Sequence, residues 1–311
     1  MNVILKVSGA LLAVVVSVWA LVIMASVSVL SLVISLLLII CLGMNVFLEF
    51  KLNKTITFSL SMLIKLISLI LSGVFTYYIS NTLNPILSAS LIGLIGAMLF
   101  NEYREAIYVG AFVGMSSLFN IYVLLLVLLI AVVVYILLED RFIGIGGKLG
   151  FIAFISTFLV ARFLPFNPTT LTFTYLQYFY LSVVTVAVSI LTYLLNKYID
   201  NTTLSSSFIG LLLGVVVLFS QDSFIMVLCL VGYGATFIGM QTRYKLYTLL
   251  PSSLVFVYLY HHAYLFSGMG GLLGFLAFLS LVPIVFSDYL IKGVKLWKKS
   301  QLLPDHKEVS D

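Results

Sequence analysis

The chain has 311 residues, 62% of them hydrophobic and 9% charged, and its mean hydropathy is +1.22. A water-soluble domain carries about 25% charged residues, so this chain cannot coat a globule in water. The net charge of +5 does not point to nucleic acid either, because the basic residues sit singly at segment ends rather than in a stripe.

In chain order, apolar segments cover 3–24, 28–48, 57–80, 83–100, 107–119, 121–138, 144–164, 171–196, 204–220, 223–241, 246–260 and 263–286. Strand alternation is absent. Long runs of this kind predict helices that satisfy their own backbone inside a bilayer, not a barrel. The sequence therefore predicts an all-α polytopic membrane protein of about 12 hydrophobic segments. The first segment, with only Lys6 as an early basic residue, is too long for a cleaved signal core and is expected to stay. Glu49, Lys51 and Lys54 mark a polar loop, and Pro165 and Pro168 another. The run 107–119 is short for a span of about 20 residues and reads as a broken or re-entrant piece. Cys41 and Cys229 lie in apolar runs and are expected to be free thiols. The tail from Lys292 to Lys299, with Trp297, reads as an interfacial anchor. Twelve crossings with both termini cytoplasmic leave only Arg162 on the outer side, which the positive-inside rule favours. The expected location is a multi-pass cell membrane protein, bacterial or archaeal, in the cytoplasmic membrane.

Three motifs recur in order. Asn84-Pro85-Ile86-Leu87-Ser88-Ala89-Ser90-Leu91-Ile92-Gly93 is echoed from Asn201 to Gly210, Phe112-Val113-Gly114-Met115 from Phe237 to Met240, and Gly144 to Phe154 from Gly268 to Phe278. The shifts are 117, 125 and 124 residues, and the last pair keeps four glycines in register. Duplication explains this better than compositional chance. Each unit holds five segments, and an odd number of crossings inverts the second unit relative to the first. The expected organisation is two N-terminal helices (1–50), a first repeat (51–164), a second repeat (165–286) and a basic tail (287–311). Gly232-Tyr233-Gly234-Ala235-Thr236, within the second unit, resembles the Gly-Tyr-Asn-Ala-type motif that the urea-transporter family carries in each of its five-helix halves. The Asn is missing here, and the first unit departs further, at Tyr108-Val109-Gly110-Ala111. The resemblance is an analogy of wording and plan, not membership.

The glycine stretches are the leading site expectation. Gly110/Gly114, Gly146/Gly150, Gly210/Gly214 and Gly270/Gly274 have GxxxG spacing, which lets helix backbones approach. The alternative is that Gly144, Gly146 and Gly147, with Gly268, Gly270 and Gly271, unwind and line a solute pathway. Lys148 lies within the first stretch, where it either snorkels to water or offers positive charge to an anionic solute. Lys65 is deeper in its segment, and an ionisable group there is a functional expectation. Ser88 and Ser205 recur near helix starts, able to coordinate a neutral solute or to bond back to their own helix. All eleven acidic residues fall at segment ends, in loops or in the tail, so no carboxylate is expected at mid-membrane. His261 and His262 lack an acidic neighbour and read as interfacial.

These features predict a transporter or channel for a small polar or anionic solute, with no enzymatic activity and no cofactor or metal. A membrane scaffold or assembly component and an enzyme acting on a lipid-linked substrate are the alternatives. Expected partners are the lipid bilayer and a small-molecule or ion solute, with a homo-oligomer left open.

Overall fold

The computed structural model describes residues 2–26, 29–49, 59–164 and 172–301, and over them the protein is all-α. Twelve helices follow in order: α1 (Asn2–Ala25), α2 (Val29–Glu49), α3 (Leu60–Ser80), α4 (Pro85–Leu99), α5 (Arg104–Gly114), α6 (Ile121–Leu138), α7 (Lys148–Ala161), α8 (Tyr175–Ile199), α9 (Thr202–Phe219), α10 (Ser223–Gly239), α11 (Leu249–His262) and α12 (Leu272–Gln301). Lys51, Lys54, Pro165 and Pro168 lie outside the described residues.

Six helices (α1, α3, α6, α8, α9 and α12) contain stretches long and apolar enough to cross a membrane, which points to a multi-pass membrane protein. Shorter apolar stretches occur in α2, α4, α7 and α10. α5 has 11 residues. Its rise of about 16 Å cannot span a hydrocarbon core of about 30 Å. The segment expected over 107–119 thus starts earlier, at Arg104, stops at Gly114, and continues as non-helical chain through residue 120.

Local chemistry sets the helix starts. Asn84 and Asn201 cap α4 and α9, their side chains accepting the backbone N–H of Leu87 and Leu204. Pro85 takes the first helical position of α4, where no N–H partner is needed. The segment expected over 144–164 does not begin as helix, and the one expected over 263–286 opens with a 3-10 turn (Ala263–Phe266) and not with α-helix. Gly144, Gly147, Gly268 and Gly271 have φ of 79°, 81°, 81° and 80°. Glycine enters that left-handed region without steric cost, and a right-handed helix cannot pass through it. α7 and α12 consequently begin only at Lys148 and Leu272.

α3 packs on α5 and α8 on α10; α4 packs on α9, and α7 on α12. Along α7 and α12, Gly147 lies against Phe278, Gly150 against Gly274, and Phe154 against Gly271, so the two run antiparallel. Their interface is filled by stacked rings, Phe151 on Phe278 with centroids 4.5 Å apart and Phe154 on Phe275 at 4.2 Å. α1 packs on α6 and α7, and α2 on α12. There the Asn45 side-chain amide donates to the Val282 carbonyl at 3.1 Å, beside Pro283 inside α12. Cys41 and Cys229 are buried and free.

Candidate functional site: two cavities meeting at an aromatic pair

Two cavities enter the helix bundle. The larger, of about 470 Å³, is lined by Lys65, Asn101, Glu102, Arg104, Glu105, Glu139, Asp140, residues 143–150 and Thr202, among others. The smaller, of about 220 Å³, is lined by Pro85, Met115, Tyr260, Tyr264 and Gly268, and by the first residues of α12. They lie at opposite ends of the same helices. Asn101 and Glu102, just beyond α4, face the larger cavity while Pro85, its first residue, faces the smaller. α5 likewise gives Arg104 to one and its C-cap Met115 to the other. Phe112 and Phe237 line both. These rings, each 2% exposed, meet edge to face with centroids 5.0 Å apart and form the wall between the cavities.

One helical turn before each phenylalanine stands a buried tyrosine. The hydroxyls of Tyr108 and Tyr233 lie 3.1 Å apart. Tyr108 also meets the Ser206 hydroxyl at 3.2 Å, and Ser206 meets Thr236 at 2.7 Å. This hydroxyl chain satisfies polar groups that would otherwise be orphaned in the bundle centre. Tyr108→Phe should lower stability by about 1 kcal/mol, the net worth of one hydrogen bond, leaving the fold intact; thermal unfolding in detergent measures it.

The expected site residues separate into groups. Gly144, Gly146, Gly147, Lys148 and Lys65 line the larger cavity, and Gly268 and Gly271 the smaller. Gly270 is tied down between them, its N–H donating to Ser116 at 2.9 Å and its carbonyl accepting from Thr157. Ser88 and Ser205 face neither cavity's lining. They bond back to the carbonyls of Asn84 and Asn201 at 2.8 and 2.9 Å, tightening the first turns of α4 and α9. Gly110 and Gly114 serve close packing, facing the Leu69 and Gly73 carbonyls of α3.

The lysines are engaged. Lys65 forms an ion pair with the Glu139 carboxylate, and the Lys148 ammonium, on a side chain that is 8% exposed, donates to the Glu139 carbonyl. Glu139 caps the end of α6, so one residue gathers two cations from α3 and α7 at the cavity mouth. With Lys65 and Glu139 only 26% and 23% exposed, breaking the pair strands a part-buried charge. Glu139→Gln should cost about 1–2 kcal/mol of stability. Lys65→Met with Glu139→Leu should recover most of that loss in the same unfolding assay.

His261 packs against the rings of Phe173 and Tyr178, and the His262 ring nitrogen Nδ1 bonds with the Tyr258 carbonyl. Neither lines a described cavity. Among the described residues, no group of three or more His, Cys, Asp or Glu side chains is placed to hold a metal. Phe112 and Phe237 stand in the sequence as motif residues and Glu139 as a segment-end acid, none of them with a site role. The repeated Tyr-x-x-x-Phe of 108–112 and 233–237 carried a signal for the first two, because that spacing puts both rings on one helix face.

Compared with protein-family models, curated proteins and solved structures, the chain matches none.

Proposed function

We propose that the protein is a transporter or channel passing a small polar solute between the two cavities, through the layer held by Phe112 and Phe237. The observation that carries this is the shared aromatic wall: two recesses at opposite ends of one bundle come within a single layer of side chains of each other. A scaffold has no need of such an arrangement. The glycine stretches support the same reading, since non-helical backbone is tolerated inside a membrane where it is buried in protein or lines a cavity.

We further infer that residues 51–164 and 165–286 are inverted repeats. The contacts are reciprocal. Ser117 donates its N–H to the Gly268 carbonyl, and Thr242 donates its N–H to the Gly144 carbonyl, both at 3.1 Å. Gly93 faces Ser207 and Tyr108, while Gly210 faces Ser90 and Tyr233. Gly150 and Gly274, which face each other, would sit on the axis of such a pair of repeats, and that axis would lie in the membrane plane. On this reading the end bearing Lys65, Arg104 and Lys148 faces the cytoplasm, and Arg162, at the far end of α7, faces outward.

The test is solute flux into liposomes holding the purified protein. Small polar solutes should enter faster than into empty liposomes. If no solute class does so, the proposal fails and a scaffold role takes its place.

A further inference from the structure

Resting on the transport reading above, we infer that the permeant solute is uncharged, and that the smaller cavity is the element that excludes ions. None of the described residues lining that cavity is charged. Its walls are mainly apolar, with Leu230, Leu272 and Leu273 beside the Phe112–Phe237 pair, and their polar groups are hydroxyls, among them those of Tyr233, Tyr260 and Tyr264. The layer beyond it continues in kind, through the hydroxyls of Tyr108, Ser206 and Thr236. An ion entering here sheds its water and meets no charged side chain among the described residues, a cost that hydroxyl and ring contacts do not offset.

The larger cavity differs in having charges, four carboxylates and three cations among its lining residues, and each of the three cations is engaged with a protein group. Lys65 pairs with Glu139, Lys148 bonds the Glu139 carbonyl, and Arg104 bonds Asn101. Lys65 is thus neutralised by the Glu139 carboxylate, while Lys148, the lysine that favoured an anion in the sequence, is held by the carbonyl of that residue in a lining with more carboxylates than cations. The first turns of α7 and α12 border the two cavities with backbone N–H groups. Such a helix end carries only about half a unit of positive charge. It suits a carbonyl or hydroxyl oxygen of a neutral solute and falls short of balancing a full anion.

Reswelling of proteoliposomes, followed by light scattering, separates the cases with three probes: formamide as the neutral solute, potassium acetate as the anion source and tetramethylammonium chloride as the cation source. Valinomycin in the acetate arm and a protonophore in the cation arm prevent charge build-up. Formamide should enter at least about 100-fold faster than either organic ion, corresponding to about 2.7 kcal/mol of barrier at 1.36 kcal/mol per tenfold. If acetate or tetramethylammonium enters as fast as formamide, the neutral-solute inference is overturned while transport stands. If none of the three outpaces empty liposomes, transport of small solutes falls with it.

Discussion

Gly274→Val should prevent the chain from reaching its folded state, whereas Gly43→Ala should be neutral or slightly stabilising. A Cβ at Gly274 would come within 2.5 Å of the Gly150 Cα, and one at Gly150 within 2.6 Å of the Gly274 Cα. Both neighbours are backbone, so no side-chain rotation relieves the collision. α7 and α12 would have to separate, pulling apart the stacked rings of Phe151, Phe154, Phe275 and Phe278. Overpacking a flexible core site costs about 1–3 kcal/mol, and this site exceeds that range because the obstruction is main chain. Gly43 has nothing within 4 Å of its Cβ position. Alanine there gains up to about 1 kcal/mol of helix propensity. Size-exclusion profiles and melting in detergent distinguish the two. A monodisperse Gly274→Val protein melting with the wild type would refute the packing account.

The second large effect is on flux. Phe237→Leu should raise neutral-solute entry about tenfold, as expected if thinning the wall between the cavities lowers the barrier by about 1.4 kcal/mol. Phe237→Trp should reduce entry below that of the wild type. Leucine keeps the helix and much of the apolar volume, so the variant remains foldable where alanine would cost about 3–5 kcal/mol. Stopped-flow reswelling measures both. Equal rates in wild type, leucine and tryptophan variants would remove the aromatic pair from the pathway.

Much of the helix layout was legible because apolar run length and capping residues are local signals. Asn84, Pro85 and Asn201 announce the starts of α4 and α9 in the sequence itself. Run length says less about where a helix begins inside an apolar stretch. Residues 263–271 are mostly apolar, yet α12 waits until Leu272 because Gly268 and Gly271 take positive φ. The glycine stretches were visible as the break; their conformation was not. The site was legible in outline and illegible in pairing. Lys65 stood out as a deep charge, but its partner Glu139 is 74 residues away and read as an ordinary segment-end acid. Ser88 and Ser205 were noticed for recurring, and the structure gives them a local role. Phe112 and Phe237 head a recurring motif, but among 24 phenylalanines recurrence does not say which ring separates two recesses.

The Gly150–Gly274 crossing also has a meaning in time. A ribosome completes α7 while its partner is still unmade, 124 residues short, from 150 to 274. At about 5–20 residues per second, the glycine face of α7 waits roughly 6–25 s for the helix that covers it. During that interval lipid or another helix must occupy the groove, and α12 has to displace that occupant. This close-packed joint of the finished protein is thus one of the last to close.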